Sequence, residues 1–219
     1  MQVARQRSML VWLAAPLALG LACSVAHAEH DPWSAGSNWM YLRGGYSKST
    51  ANGEGNGGAG YGFGFRHLLK PSRVKDWRVL GIRPLGFLPW TLFKNWSFGG
   101  SVGYDVLGRF GEAADIEVPV AVDLTRHIMW RSAGRPYVSL GTGPFYRKTY
   151  QTGNDLRVVN FGGYVASGFD VPVGPSQMLG FDFRIAHVDG KNKPVNPVFG
   201  PGQVTATHWG LKLAYSVVY

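Results

Sequence analysis

Cysteine is almost missing from this chain. Of 219 residues only Cys23 is one, so no intrachain disulfide can hold the fold. Acid is scarce as well: 13 Asp and Glu stand against 22 Lys and Arg. Beyond residue 28 no run is apolar and long enough for a membrane helix, which needs about 20 such residues. Motifs of common chemistry are absent too. The six histidines form no His-x-x-Glu-His or similar spacing. The glycine-rich stretch Gly53 to Gly64 is not followed by the Lys-Ser/Thr of a phosphate loop, and no Gly-x-Ser-x-Gly elbow occurs. No metal and no cofactor is therefore expected.

The N-terminus is informative. Arg5 and Arg7 precede an apolar run from Met9 to Leu21, and Ala26-His27-Ala28 follows. A charged region, an apolar core and an A-x-A site read as a secretory signal peptide over residues 1–28. Cys23 falls inside it. Gly20 stands where a lipoprotein signal would carry Leu. Residues 29–219 then form one domain without cysteine. Only two of the 22 cations are lost with the leader, so the exported part stays basic. An exported chain rarely meets nucleic acid. Anionic lipopolysaccharide phosphates are the partner expected for exposed Lys and Arg; a solvated basic surface is the plainer alternative.

What is plentiful is glycine (31 residues), aromatics (14%) and period-two alternation. Successive strand side chains point to opposite faces. In the last eleven residues Trp209, Leu211, Leu213, Tyr215, Val217 and Tyr219 share one face. Gly210, Lys212, Ala214 and Ser216 share the other, with Val218 the apolar exception. The same pattern recurs over Trp39–Ser47, Gly58–Arg66, Trp96–Val106, Asp115–Thr125, Tyr137–Arg147, Val158–Val171, Met178–Val188 and Thr205–Tyr219. The expected fold is all-β: an antiparallel, up-and-down transmembrane β-barrel in the outer membrane. One face of each strand meets lipid and the other a polar lumen.

Eight strands result if residues 68–94 are set aside. That stretch carries Pro71, Pro84 and Pro89, and proline cannot donate to a central ladder. Ten strands, with a broken hairpin there, is the alternative count. With the C-terminus in the periplasm, residues 189–204 become a long outer loop and Val173 to Ser176 a tight periplasmic turn. The closing strand should pair with the first near Trp39. Its terminal aromatic suits recognition by the barrel assembly machinery.

Alternation also sorts the charges. Arg43, Arg66, Arg147, Arg184 and Lys212 face inward, as do Asp105, Glu117, Asp123, Asp170 and Asp182. An eight-stranded barrel is only wide enough to be filled by side chains. Buried charges are costly unless paired. Five bases against five acids thus predict an ion-pair network filling the lumen, with Phe145 and Tyr164 narrowing it further.

One histidine stands apart. In Phe181-Asp182-Phe183-Arg184-Ile185-Ala186-His187 the outward set ends on His187, beside the long outer loop. A titratable imidazole there can serve as a general base on lipid esters; an interfacial histidine is the simpler reading. The run Phe183 to His187, followed by Lys193-Pro194-Val195-Asn196-Pro197, resembles the lipid A 3-O-deacylases of the PagL type. The resemblance implies an eight-stranded outer-membrane esterase whose seventh strand ends in Arg-x-x-His-x-Ser-Asn. In that family the histidine acts with the serine and an acid on the last strand. His187 matches the histidine; Asp189 occupies the serine position and Gly190 the asparagine. The acid falls near Trp209, beside Thr205 and Thr207. The candidate site is therefore His187 with Asp189, acting on water.

Three functions follow as expectations. The first is a non-porin barrel, structural or in contact with lipopolysaccharide through its outer loop with Lys191 and Lys193. The second is a lipid A acyl-ester hydrolase using His187. The third is a narrow channel for small solutes.

Overall fold

The computed structural model describes residues 32–50, 56–70, 94–110, 113–128, 134–150, 155–189 and 207–219. Residues 1–31 with Cys23, residues 71–93, and residues 190–206 with Lys191 and Lys193 lie outside them.

Eight antiparallel strands close into one barrel, each bonded to the next and β8 to β1. They are β1 (Asn38–Ser49), β2 (Gly58–Leu68), β3 (Trp96–Phe110), β4 (Ala113–His127), β5 (Arg135–Tyr150), β6 (Leu156–Gly174), β7 (Gln177–Val188) and β8 (Thr207–Val218). Because β2 pairs directly with β3, Gly60 opposite Asp105, the wall has no room for a further hairpin between them. The count is eight, not ten. The closing seam runs Trp39 opposite Val218, as the alternation of the last strand implies. A two-residue turn at Pro175–Ser176 joins β6 to β7. Most strands run a few residues past the ends that hydrophobic pattern marks, because the ladder continues where the outward residues turn polar. Among the described residues no helix is long and apolar enough to cross a membrane.

The arrangement is inside-out. Phe63, Phe65, Val120, Val122, Leu140, Phe161, Val165, Leu179, Ile185 and Leu213 are all exposed on the exterior. The ten charged residues assigned to the lumen are all buried. The outward residues of β3–β6 carry no charge from Phe98 to Val106, Ile116 to Leu124, Val138 to Tyr146, or Val159 to Val173. Arg126 bounds this band at the end nearer the termini, with its guanidinium 5.5 Å from the Trp96 ring. Lys148 and Arg157 bound it at the other. A strand rises about 3.3 Å per residue and tilts by about 40°, so Val138 to Lys148 spans about 25 Å of height. That is the height of the apolar band of a membrane barrel.

The mouth nearer the termini is closed by the chain before β1. Trp33 packs edge-on against Trp39 at 5.1 Å and Arg135 stacks over Trp33 at 4.4 Å. Trp39 donates to the Pro32 carbonyl at 2.9 Å. Trp39, Leu68, Met178 and Val218 form a buried apolar layer beneath. This explains Val218, the apolar residue on an otherwise polar face.

Three inward tyrosines fit because each faces a glycine across the ladder. Tyr41 lies opposite Gly64, Tyr164 opposite Gly141 and Tyr137 opposite Gly168. A Cβ added at any of these glycines would collide with the ring. Such pairs fill a narrow lumen and pin the register. Gly64→Val and Gly168→Val should each destabilise the barrel by about 1–3 kcal/mol through overpacking. Urea unfolding in vesicles followed by tryptophan fluorescence measures this; unchanged midpoints would refute the fit.

Candidate functional site

The site residues expected from sequence fall in two places: the lumen and the outward face around His187.

In the lumen, parity decides which side chains enter, and the barrel's closure decides whom they meet. Lys212 of β8 reaches Asp105 of β3, to which Ser47 of β1 also donates at 2.7 Å. His208 of β8 lies 3.2 Å from Glu117 of β4. Arg66 of β2 approaches Asp123 of β4 at 3.9 Å and Asp170 of β6 at 3.7 Å. Its guanidinium also sits 5.1 Å from the Tyr41 ring and 4.7 Å from the Tyr137 ring. Tyr137 donates to Asp182 at 2.9 Å and Tyr164 to Asp123 at 3.2 Å. Arg184 stacks over Tyr164 at 3.7 Å and meets Asp182 at 3.5 Å. The bonds Lys212–Asp105, His208–Glu117, Arg66–Asp123, Arg66–Asp170, Tyr137–Asp182 and Tyr164–Asp123 are chords across the lumen rather than bonds between neighbouring strands.

The balance of five bases and five acids needs one correction. Asp115, which the alternation puts on the inner face but the tally omits, is fully buried. It takes Arg147 in a two-pronged pair, with Nε at 2.8 Å, and accepts from Thr149 at 3.2 Å. A sixth acid therefore shares the lumen. Two histidines join it. His127 bonds Ser97 at 3.0 Å, and His208 meets Glu117. Both were readable from strand parity. Phe145 and Tyr164 are buried inward as expected, with Ala121, Ala166, Ala186 and Val188.

Between Tyr41, Arg43, Arg66, Tyr137, Asp170 and Asp182 remains a space for about one water molecule. The described lumen is filled. No group of His, Cys, Asp and Glu fit to hold a metal occurs among the described residues.

On the outside, His187 is exposed and ends the outward row of β7. Gly163 flanks it on β6 and Thr207 on β8. Its Nδ1 and the Thr207 hydroxyl are 3.0 Å apart. Asp189 is exposed two residues on, and its amide donates to the Phe161 carbonyl at 3.0 Å. The hydroxyl at the ring thus comes from β8, 20 residues away, a contact that a motif read along one strand does not reveal.

Fold and interior together define a small eight-stranded barrel of the outer-membrane type with a filled polar lumen. Similar solved structures share the fold. Neisserial surface protein A has a TM-score of 0.59 at 11% identity, over 84% of this chain and 99% of that one. The N-terminal β-barrel domain of Pseudomonas aeruginosa OprF follows at 0.53 and 11%, over 84% and 98%. Ail, the attachment invasion locus protein of Yersinia pestis, scores 0.53 at 11%, over 85% and 100%. At that identity the likeness is one of fold. No protein-family model matches the chain, and no curated protein matches it in sequence.

Removing one member of a buried pair leaves an uncompensated charge and costs about 3–5 kcal/mol, whereas an apolar replacement of both costs far less. Lys212→Met should therefore unfold at markedly lower urea than Lys212→Met combined with Asp105→Leu. Equal losses in the single and double variants would show that the chord carries no coupling.

Proposed function

We propose that this chain is a non-porin outer-membrane barrel. It would anchor its outer loops at the cell surface in contact with lipopolysaccharide, and its lumen serves as a structural core. The observation that carries this is the sorting of side chains: a charge-free exterior band about 25 Å tall around a lumen of paired charges. In water that exterior would aggregate; in lipid it is the favourable surface. The filled lumen argues against the channel reading. In outer membranes the protein should migrate as a compact band in unheated detergent gels and as a slower band after boiling. It should give no steady conductance in planar bilayers. A single migration at both temperatures sinks the membrane reading, and steady openings sink the filled-lumen reading.

A second reading keeps the resemblance to lipid A 3-O-deacylases, and the His187–Thr207 contact favours it. A hydroxyl within hydrogen-bond reach of an imidazole is the geometry of an activated nucleophile. Thr207 would then attack an acyl ester with His187 as base. With Asp189 in place of the hydroxyl, the pair would instead activate water. Mass spectrometry of lipid A from expressing cells separates these cases. Loss of one acyl chain that disappears in His187→Ala establishes the esterase. Its persistence in Asp189→Asn and loss in Thr207→Val assigns the nucleophile to Thr207. Unmodified lipid A under good expression of the parent chain excludes the enzyme.

A further inference from the structure

We propose that the outward face of β3–β6, at the edge of the apolar band away from the termini, binds a phosphate of lipid A. The proposal rests on the outer-membrane reading above and adds a site to it. Two rows of residues build that site. In the first, Ile116 of β4 stands opposite Lys148 of β5, and Lys148 opposite Arg157 of β6. In the next row outward, Arg109 of β3 stands opposite Ala114 of β4, and Ala114 opposite Tyr150 of β5.

Lys148 and Arg157 are direct cross-strand neighbours pointing the same way. Facing side chains of this kind lie about 5 Å apart at Cβ, where like charges repel. Nothing in the lumen can compensate them, since both lie on the exterior. Asp155 bonds Lys148 at 2.8 Å, and the ammonium sits 3.8 Å over the Tyr150 ring. Among the described residues of this edge of β3–β6, three cations, Arg109, Lys148 and Arg157, stand with one carboxylate, Asp155, so the described outward charge is net positive. Ala114, between Arg109 and Tyr150, is the smallest outward side chain of its row.

Position selects the ligand. These cations are the first charges met after the apolar band on β5 and β6, so they lie at headgroup depth. Just below them Tyr61 and Tyr104 stack at 5.0 Å and Tyr146 is exposed, an interfacial belt. A ligand here must bring acyl chains along the apolar wall and a phosphate to the guanidinium and ammonium groups. Arg binds phosphate in a two-pronged fashion and Lys as a point charge. The glucosamine phosphates of lipid A meet both demands in the outer leaflet.

The test uses the full chain in detergent micelles, titrated with bis-phosphorylated lipid A and read by native mass spectrometry. The parent should retain lipid A. Lys148→Gln with Arg157→Gln should bind about tenfold more weakly, from the loss of two charge-assisted contacts. Lipid A stripped of both phosphates should bind the parent no better than that double variant. Arg126→Gln, at the opposite edge of the band, should bind as the parent does. Arg157→Gln alone provides the readout if the double variant does not fold. Equal binding by parent and variant, or of lipid A with and without phosphates, overturns the site. So does equal binding of phosphatidylglycerol. Heat-modifiable migration of the parent, run alongside, separates failure of this site from failure of the membrane reading.

Discussion

The constraint on which this structure depends is charge burial in a closed, narrow cylinder. Eight strands leave a lumen that side chains fill, with little volume to spare. Every ionised group pointing into it must find an opposite charge, a ring face or a hydroxyl, because an unpaired one is strongly destabilising. The pairs that result join strands that are not neighbours: β8 with β3 through Lys212 and Asp105, β8 with β4 through His208 and Glu117, β2 with β6 through Arg66 and Asp170. Such chords resist ovalisation of the barrel in a way that ladder bonds between adjacent strands cannot. The glycines opposite Tyr41, Tyr137 and Tyr164 belong to the same solution, since they make the space that the rings and their arginine partners fill.

That interior also sets what the protein can do. With the described lumen occupied by paired side chains, the proposed functions draw on the exterior wall, its two rims or the outer loops. The exterior divides cleanly. Within the apolar band of β3–β6 the surface is free of charge. Beyond it lie cations with aromatic neighbours: Arg126 on Trp96 at one edge and Lys148 on Tyr150 at the other. His187 with Thr207 adds one titratable pair on the β7–β8 face. The proposed contacts with lipopolysaccharide and the alternative ester chemistry both draw on this outer surface.

Much of this was legible without coordinates. All ten inward charges named from alternation are buried, and the turn at Pro175–Ser176 and the seam at Trp39 lie where the pattern puts them. Asp115 was on the inner face by the same rule, yet it escaped the tally of charges; its pairing with Arg147 restores it. His127 and His208 carry the same parity signal and are likewise buried in the lumen. The strand ends were less legible. Hydrogen bonding continues past the last apolar residue, so Tyr150, Leu156 and His127 belong to strands although pattern stops short of them.

Sequence alone determined the side on which most strand residues lie, because a period of two is a local property of extended backbone; it fails at the bulge between Val106 and Gly108, which turns Arg109 outward. Sequence narrowed the strand count to eight or ten, and the direct pairing of β2 with β3 decided for eight. Only the tertiary structure decided who meets whom. The partner of Lys212 is 107 residues away and that of Arg43 is 58. Which of several inward acids each base finds depends on barrel closure and on register across several strands. The same holds outside. Lys148 and Arg157 become one cationic face, and Thr207 reaches His187, only because the ladder sets those strands side by side.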